Sequence, residues 1–427
     1  MTPRLATRRE RPGRVYPSTP GDRGGPDNPG RPGNPGGAGN PGGPPAPAGA
    51  GDESDPTVAT AAVIDPTVSR PAATAVAARP WMNGWFAARS ASRPATAPPE
   101  SRGLPRDGVR LLVSDDRGVE HARFRDLPRF LRGGDLLVVN TSATLPAAVD
   151  GERRGRAVAV HFSTALDDDG WVVEIRPTGR ATGPVRDIEP GEEIGLPGDS
   201  ALTVLESYPV VGVDGSRLWR ATMSGAGVAA LLRRHGRPIA YAYVEGRWPL
   251  ESYQTVFARH PGSAEMPSAG RPFSDRLVTC LVADGIAIAP IVLHTGVSSL
   301  EPGEGPLPEP FRVAESTAAR VNATRAAGGR VIAVGTTAAR ALESAMDGGG
   351  RVVARAGWTD LVLGPEQPVR VVDGLITGWH EPGSSHLRLL EAVAGAERVA
   401  SAYREAAFAG YLWHEFGDSA LLLRDGA

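Results

Sequence analysis

The sequence contains no lysine, so every basic side chain other than histidine is arginine. GC-rich codon usage is the simplest cause of this bias, but its chemical consequence is the same whatever the cause. A lysine Schiff base and a lysine general base are both excluded. Contacts to phosphate must come from arginine, backbone N–H groups or hydroxyls.

Cysteine and long apolar runs are scarce as well. Cys280 is the only cysteine, which excludes a disulfide framework and a cysteine zinc site and fits the reducing cytoplasm where we expect the protein. No stretch approaches 18 apolar residues, so no membrane span is expected. The arginine-rich N-terminus is not followed by an apolar segment, so a secretory signal is not expected either.

Composition divides the chain into parts. About half of residues 1–50 are glycine or proline, and such a stretch buries too little apolar surface to offset its ordering entropy. We therefore predict a disordered tail over residues 1–95. The remainder is long enough for a large α/β domain, residues 96–146 and 238–427, and a smaller inserted domain, residues 147–237.

Helical and strand-like segments alternate in the second half of the chain. Residues 286–293 and 330–334 are short, apolar and β-rich, and residues 316–327 and 337–346 have helical spacing. Residues 135–140 form a continuous apolar run of the kind that is buried on both faces of a sheet. This alternation predicts an α/β fold with a largely parallel or mixed sheet.

The predicted insertion has a different pattern. Four short strand candidates, separated by turn-forming residues, lie at residues 158–162, 171–175, 201–205 and 218–222. Short strands at this spacing predict a small antiparallel β-barrel.

One strand-to-helix junction could hold an anion. A buried strand ends at Val334, Gly335 permits a tight turn, and Thr336 and Thr337 are placed to cap a helix. Free N–H groups at a helix start favour an anionic ligand. The alternative is an ordinary capped turn, and the segment has neither a dinucleotide nor a P-loop motif.

His294 and His380 each follow a predicted strand. Ligand sites of parallel α/β sheets lie at the carboxyl ends of strands, so both rings could face one pocket as acid, base or hydrogen-bond donor to a ribose. Taken singly, each is equally compatible with a structural role.

Other polar residues are weaker candidates. Tyr253 and Gln254 could hold a flat base by stacking and edge hydrogen bonds, although core packing explains an aromatic residue equally well. Glu343, Asp360 and Asp373 lie in a helix or in turns near strand ends and are candidate bases, with solvated carboxylates as the alternative.

The order of several motifs, more than any single one, points to a family. The chain resembles the S-adenosylmethionine:tRNA ribosyltransferase-isomerase family of queuosine biosynthesis from residue 104 to residue 423. The matching segments are Gly134–Thr141, similar to GDLLVxN; Tyr253–Ala258, similar to YQTVYA; Val292–Gly296, similar to TLHVG; Arg330–Glu343, similar to RVIAVGTTSxRxLE; and Val372–His380, similar to VDGLITNFH.

The resemblance implies an α/β domain with an inserted β-barrel. It also implies a reaction in which the ribosyl part of S-adenosylmethionine moves to the aminomethyl group of a 7-deazaguanine in tRNA and isomerises to an epoxycyclopentane diol. Adenine and methionine are released, S-adenosylmethionine serves as ribosyl donor, and no metal is implied.

Within the motifs we expect His294 and His380 around the ribose, with Glu343 as a further catalytic candidate. The junction Gly335–Thr336–Thr337 would hold a carboxylate or phosphate, and Tyr253 and Gln254 would contact a base. Arg340, Asp373 and Thr377 lie in the same motifs and are expected to bind substrate.

The chain also departs from these motifs. Residues 140–149 lack two arginines of NDTRVxPARL, Pro272 stands where AAPTAGLHFT has histidine, and Gly383 replaces the lysine of HLPKST. PPYI has become residues 239–244, and GAGTF has become residues 296–300. Arg271 is the nearest cation that could compensate. Two alternatives stay open: a paralogous enzyme with another acceptor, and a non-catalytic nucleoside- or RNA-binding protein.

Overall fold

The computed structural model describes residues 93–178, 183–298, 306–380 and 385–426. The predicted tail lies outside these ranges except for its last three residues. There, Arg93–Pro94 pairs in parallel with Leu412–Trp413, and Ala95 is buried. Residues 381–384, which include the predicted loss of a lysine, also lie outside the described ranges.

Nineteen strands and six α-helices are described. The strands are β1 Arg93–Pro94, β2 Arg110–Asp115, β3 Gly118–Arg123, β4 Leu136–Asn140, β5 Ser142–Thr144, β6 Ala148–Arg153, β7 Arg156–Ala165, β8 Trp171–Pro177, β9 Glu193–Leu196, β10 Ser200–Tyr208, β11 Leu218–Ser224, β12 His260–Ser263, β13 Ala287–Leu293, β14 Glu309–Val313, β15 Val331–Val334, β16 Arg355–Thr359, β17 Gly374–Gly378, β18 Leu412–Trp413 and β19 Ser419–Leu423. The helices are α1 Val228–His235, α2 Asp275–Ala283, α3 Glu315–Ala326, α4 Thr336–Ser344, α5 Ser385–Ala394 and α6 Ala396–Phe408.

A nine-stranded mixed sheet organises most of the chain. Its order is β16-β14-β13-β4-β15-β17-β19-β2-β3, and the central strands β13, β4, β15 and β17 are mutually parallel. Every residue of β4 is buried, as its continuous apolar sequence predicts for a strand covered on both faces.

Alternate side chains of the central strands enter two different cores. Leu136 and Val138 pack with α3, α4, α5 and α6 on one face, whereas Leu137 and Val139 pack with α2 and the 3₁₀ turn Phe124–Phe130 on the other. Because successive side chains of a strand point to opposite faces, the sheet is covered by helical layers on both sides. The predicted α/β fold class is confirmed.

Six strands form a closed antiparallel barrel in the order β10-β11-β8-β7-β6-β9. All four barrel strands expected from the sequence are present, and in the chain they fall between β5 and β12. Closure satisfies the edge strands of what would otherwise be a small open sheet. The core of the barrel holds Val149, Phe162, Ile175 and Trp219.

One strand begins later than its sequence predicts. The apolar run from Val369 suggests a strand up to Ile376, but β17 begins at Gly374. The amides of residues 370–372 donate to the Glu343 carboxylate and therefore do not join a ladder. Among the described residues, no helix is both long enough and apolar enough to cross a membrane.

Candidate functional site

The carboxyl ends of the central parallel strands meet at one edge of the sheet, and Asn140 ties three of them together. Its side-chain amide donates to the Leu293 carbonyl at 2.8 Å and to Thr337 Oγ1 at 3.3 Å. Its oxygen accepts from the backbone amides of Leu293 and Ser142. The last residue of β4 thereby fixes the end of β13 against the start of α4.

His294 immediately follows β13 and is held by two buried serines. Its Nδ1 lies 2.7 Å from Ser142 Oγ, which lies 2.6 Å from Ser263 Oγ. Ser263 Oγ also accepts the Thr295 amide. Either serine can be the donor in the bond between them, and Ser142 donates to His294 Nδ1 or accepts from it according to the tautomer of the ring.

The surroundings of His294 favour its neutral form. Burial lowers the pKa of the imidazole, and the neighbouring His260 lowers it further. Gly262 lies against the ring so closely that a Cβ there would approach Nδ1 to 2.4 Å. A neutral imidazole offers one donor nitrogen and one acceptor nitrogen at neutral pH.

His380 follows β17 in a group of imidazoles. Its ring stacks on His386 at 3.8 Å between centroids and meets His414 edge-on at 6.2 Å. His386 Nε2 lies 3.1 Å from Thr377 Oγ1. Burial, together with His414, lowers the pKa of His380 to about 4, so its ring is neutral at physiological pH.

The two predicted histidines lie at the same sheet edge without touching. β4 and β15 separate β13 from β17, and three strand spacings are roughly 14 Å. A single ligand that contacts both His294 and His380 would have to pass the ends of β4 and β15, which lie between them.

The start of α4 differs in one detail from its prediction. Gly335, with φ of 92°, is the residue before the helix, and no side chain caps it, so the expected threonine cap is wrong. Because Asn140 binds Thr337 and a Cβ on Gly335 would lie 3.3 Å from Ala269, this helix start is closely packed.

Arg340 is committed to contacts within the protein. Its guanidinium pairs with Glu309 and donates to the carbonyls of Leu361 and Thr359 at 3.1 and 3.2 Å. These contacts attach α4 to β14 and β16 instead of presenting a free cation to a ligand.

Glu343 and Asp373 lie at the opposite edge of the sheet, so the structure does not bring them to the histidines. Glu343 ends α4 and accepts the amides of residues 370–372, and Asp373 accepts the amide of Val331, the first residue of β15. Both carboxylates organise backbone at the amino ends of strands. This placement removes the basis for expecting a base or a substrate contact there.

Tyr253 and Arg271 come together around Phe416. The centroid of the Tyr253 ring lies 5.2 Å from that of Phe416. The Arg271 guanidinium lies 5.3 Å from the centroid of the same Phe416 ring. Arg271 is only 2% exposed and forms a two-pronged ion pair with Glu100 at 2.9 and 3.1 Å. Its charge is therefore already paired.

Gln254 is used for structure. Its amide oxygen accepts the Thr144 amide at 3.0 Å and its nitrogen donates to the Thr144 carbonyl at 2.8 Å. The side chain acts as an additional strand partner for β5, and these two bonds use one of its two N–H donors and one of its two acceptor lone pairs.

A cleft of about 990 Å³ lies where the barrel meets the α/β part of the molecule. Tyr253 lines it, as do Tyr241, Tyr243, Glu265 and Ser298. The barrel side contributes its own polar groups: His161, Glu174 and Arg176. A cavity of this size, with few convergent polar groups, is suited to a small-molecule or nucleoside ligand.

Two short connections join the cleft to the histidines. Tyr243 stacks on His414 with 4.7 Å between the ring centroids, and His414 in turn meets the His380 ring edge-on. Thr295, the neighbour of His294, donates to the Glu265 carbonyl at 2.7 Å.

Sequence reasoning missed Tyr241, Glu265 and Ser298 as site residues. The available signal was their position: each lies in a segment where the chain departs from the resembled motifs. Among the residues that the structure describes, no group of three or more metal-ligating side chains is present.

The fold and the cleft together define an α/β protein with a β-barrel beside a nucleoside-sized site. Residues 88–422 match the family model described as queuosine biosynthesis protein. The S-adenosylmethionine:tRNA ribosyltransferase-isomerase of Desulfitobacterium hafniense is 35% identical over 332 residues, covering 75% of this chain and 94% of the relative. The protein of the same name from Thermus thermophilus is 38% identical over 333 residues, with the same shares covered.

A solved structure, an S-adenosylmethionine tRNA ribosyltransferase from Thermotoga maritima, is 27% identical and covers 78% of this chain and 96% of its own, with a TM-score of 0.42. On the family match and the curated relatives, the chain belongs to the queuosine biosynthesis protein family.

Proposed function

We propose that this protein is an S-adenosylmethionine:tRNA ribosyltransferase-isomerase. It transfers the ribosyl part of S-adenosylmethionine to 7-aminomethyl-7-deazaguanine in tRNA and isomerises it to give epoxyqueuosine, with release of adenine and methionine. The main support for the proposal is the family match over residues 88–422, which includes both the sheet edge and the cleft.

The proposal gives the two histidines separate tasks. His294 donates from Nε2 to a ribose oxygen, because Ser142 occupies its Nδ1. His380, neutral at physiological pH, contacts the far side of the same ligand across the roughly 14 Å between the strand ends. Such positioning can supply most of the rate gain of a group transfer.

Other contacts follow from the geometry. The amides at the start of α4, next to Gly335 and Thr336, face a carboxylate or phosphate. Tyr253 contacts a base from the cleft wall. Thr377 acts through His386, and Arg340, Gln254 and Arg271 support the site through their partners in the protein.

The domain division belongs to the same proposal. Residues 147–237 form an inserted barrel domain between the two parts of the α/β domain, residues 96–146 and 238–427. Arg237 and Arg247 line the cleft. Arg237 is paired with Asp150, and Arg247 supplies positive charge for a tRNA backbone. The cytoplasm, where tRNA is modified, is the proposed location.

Adenine release tests the proposal. Purified full-length protein is incubated with S-adenosylmethionine and tRNA that carries the aminomethyl-deazaguanine base, and adenine is quantified by chromatography. We expect adenine only when that tRNA is present.

Two other outcomes would contradict the proposal. Adenine release that requires a different acceptor would assign the chain to a paralogous transferase. Binding of both substrates without turnover, at high protein concentration, would assign it to a non-catalytic binding protein.

A further inference from the structure

The cleft contains a hydrogen-bonded unit of three residues: Tyr241, Ser298 and Glu265. The Tyr241 hydroxyl donates to Ser298 Oγ at 2.8 Å, and Ser298 Oγ donates in turn to Glu265 Oε2. The backbone amide of Ser298 donates to Glu265 Oε1 at 2.9 Å. The carboxylate is thus held in one orientation by donors on both oxygens, and each oxygen keeps a further lone pair.

Flat aromatic surface lies next to this carboxylate. The Tyr241 and Tyr243 rings are almost parallel, 6° apart with centroids at 5.5 Å, and Tyr243 stacks on His414. A row of ring faces attracts cations and planar heterocycles.

The charge of Glu265 is not compensated by the protein. Among the described residues neither Glu265 nor its neighbour Glu415 forms an ion pair, and Glu415 Oε2 is buried without a hydrogen-bond partner. Burial raises the pKa of both carboxyls. Even a half-buried carboxylate is disfavoured without a cation, and a bound cation would relieve that cost.

Glu174, on the barrel side of the same cleft, provides the contrast. Arg176 and Arg217 each approach it at 2.8 Å, and its pKa is lowered to about 2. The chain therefore neutralises one carboxylate of the cleft with two arginines and leaves the other without any.

The barrel wall offers a second, independent sign of a ligand. His161 lines the cleft and is 8% exposed, and its buried Nδ1 lies 3.7 Å from Glu174 Oε2, with no partner within hydrogen-bond distance in the described part of the chain. Buried polar atoms are normally satisfied. The nitrogen is thus in electrostatic contact with Glu174 and still has room for a hydrogen bond from a ligand in the cleft.

From this geometry we propose that Glu265, held by Ser298 and Tyr241, is a subsite for a primary ammonium group, with the Tyr241–Tyr243 rings beside it. The choice of ligands rests on the proposed function, which supplies two such groups. One is the α-ammonium of S-adenosylmethionine, and the other is the aminomethyl group of the tRNA base.

Calorimetric binding to the full-length protein tests the subsite without requiring turnover. The probes are S-adenosylmethionine, tRNA with the aminomethyl base, and the same tRNA with a 7-cyano base that lacks the amine. The variants are Glu265→Gln, which removes the charge at constant shape, and Tyr241→Phe, which removes one positioning hydroxyl. Glu366→Gln, at an exposed glutamate paired with Arg388, is the matched control.

We expect Glu265→Gln to weaken binding of one ammonium-bearing probe at least tenfold, Tyr241→Phe about threefold, and the control not at all. Weaker binding of S-adenosylmethionine assigns the subsite to the donor. Weaker binding of the aminomethyl tRNA, with unchanged binding of the cyano tRNA, assigns it to the acceptor.

Two results would overturn the proposal in distinguishable ways. Equal affinities of wild type and both variants, with unchanged melting temperatures, reject the subsite and leave the proposed function intact. Wild-type protein that binds none of the three probes rejects the subsite and the proposed function together.

Discussion

At His294, the tautomer of the ring is coupled to the direction of one hydrogen bond. If Ser142 donates to Nδ1, the ring proton is on Nε2, and if Ser142 accepts, Nε2 is an acceptor. The proposed role of His294 as a donor to the ribose requires the first arrangement.

Replacing His294 by alanine removes the proposed donor to the ribose. We expect turnover to fall more than tenfold, because one lost hydrogen bond in the transition state costs about 1.4 kcal/mol or more. Steady-state adenine release measures the loss. The exposed His235→Ala is the control and should retain wild-type activity; near-normal turnover in His294→Ala would refute the assignment.

Ser142→Ala tests the direction of the hydrogen bond. If the hydroxyl donates to Nδ1, as the proposed role of His294 requires, it stabilises the neutral ring, and its removal should raise the pKa of His294 toward the ordinary value. Imidazole NMR across pH 4–8 follows this titration, and the wild-type spectrum should show the proton on Nε2. Ser207→Ala, at another buried serine, should leave the His294 titration unchanged. A pKa that falls in Ser142→Ala would mean that the ring is the donor.

At the scale of elements, the junction between β15 and α4 combines two demands on one glycine. Gly335 has a left-handed φ, and a side chain there would press on Ala269. The Ser268–Gly270 turn, which carries Ala269, is thereby set against the helix start. Glycine at this position determines both the turn and the closeness of that contact.

Comparing Gly335→Ala with Gly328→Ala separates these two effects. Gly328 has φ of 75° and open space around it, so alanine there should cost only the backbone strain, about 1–2 kcal/mol. Gly335→Ala should cost more in chemical denaturation and also weaken binding of S-adenosylmethionine. Equal stability losses and equal binding in the two variants would show that the Ala269 contact is unimportant.

Most elements were predictable, because they depend on local pattern. The continuous apolar run of β4 and the turn-separated barrel strands follow from side-chain periodicity. The start of β17 could not be predicted in this way, because it depends on Glu343. This residue is distant in sequence and accepts the amides that a longer strand would use. Periodicity carries no information on such long-range competition.

At the scale of the whole molecule, sequence order predicted which strand ends meet, but not what each polar side chain touches there. His294 and His380 lie at the expected edge because the central strands are parallel. Arg340 has the motif of a ligand-binding residue and is paired with Glu309 instead. Tyr241 and Glu265 become visible only when the cleft is formed.

A buried arginine joins the barrel to the rest of the molecule. Glu174 on β8 binds Arg217, whose guanidinium also donates to the Ser298 carbonyl at 3.2 Å. Ser298 holds Glu265, so Arg217 is the one residue between Glu174 and the proposed ammonium subsite. Loss of this link should disturb the barrel and the cleft together.

The pH dependence of stability tests this link. Burial alone would raise the pKa of Glu174, but its contacts with His161, Arg176 and Arg217 outweigh burial and lower the pKa from 4.5 to about 2. A carboxylate with a lowered folded-state pKa stabilises the protein fully above pH 4.5, by about 3 kcal/mol, and this contribution is lost as the pH falls toward 2.

Glu174→Gln should therefore be less stable than wild type at pH 7, by about 3 kcal/mol in urea denaturation, and the difference should shrink between pH 4.5 and 2. Glu152→Gln, at an exposed position of β6, should show no such difference. A stability gap that stays constant with pH would mean that Glu174 contributes through its shape. Its charge would then not connect the barrel to the cleft.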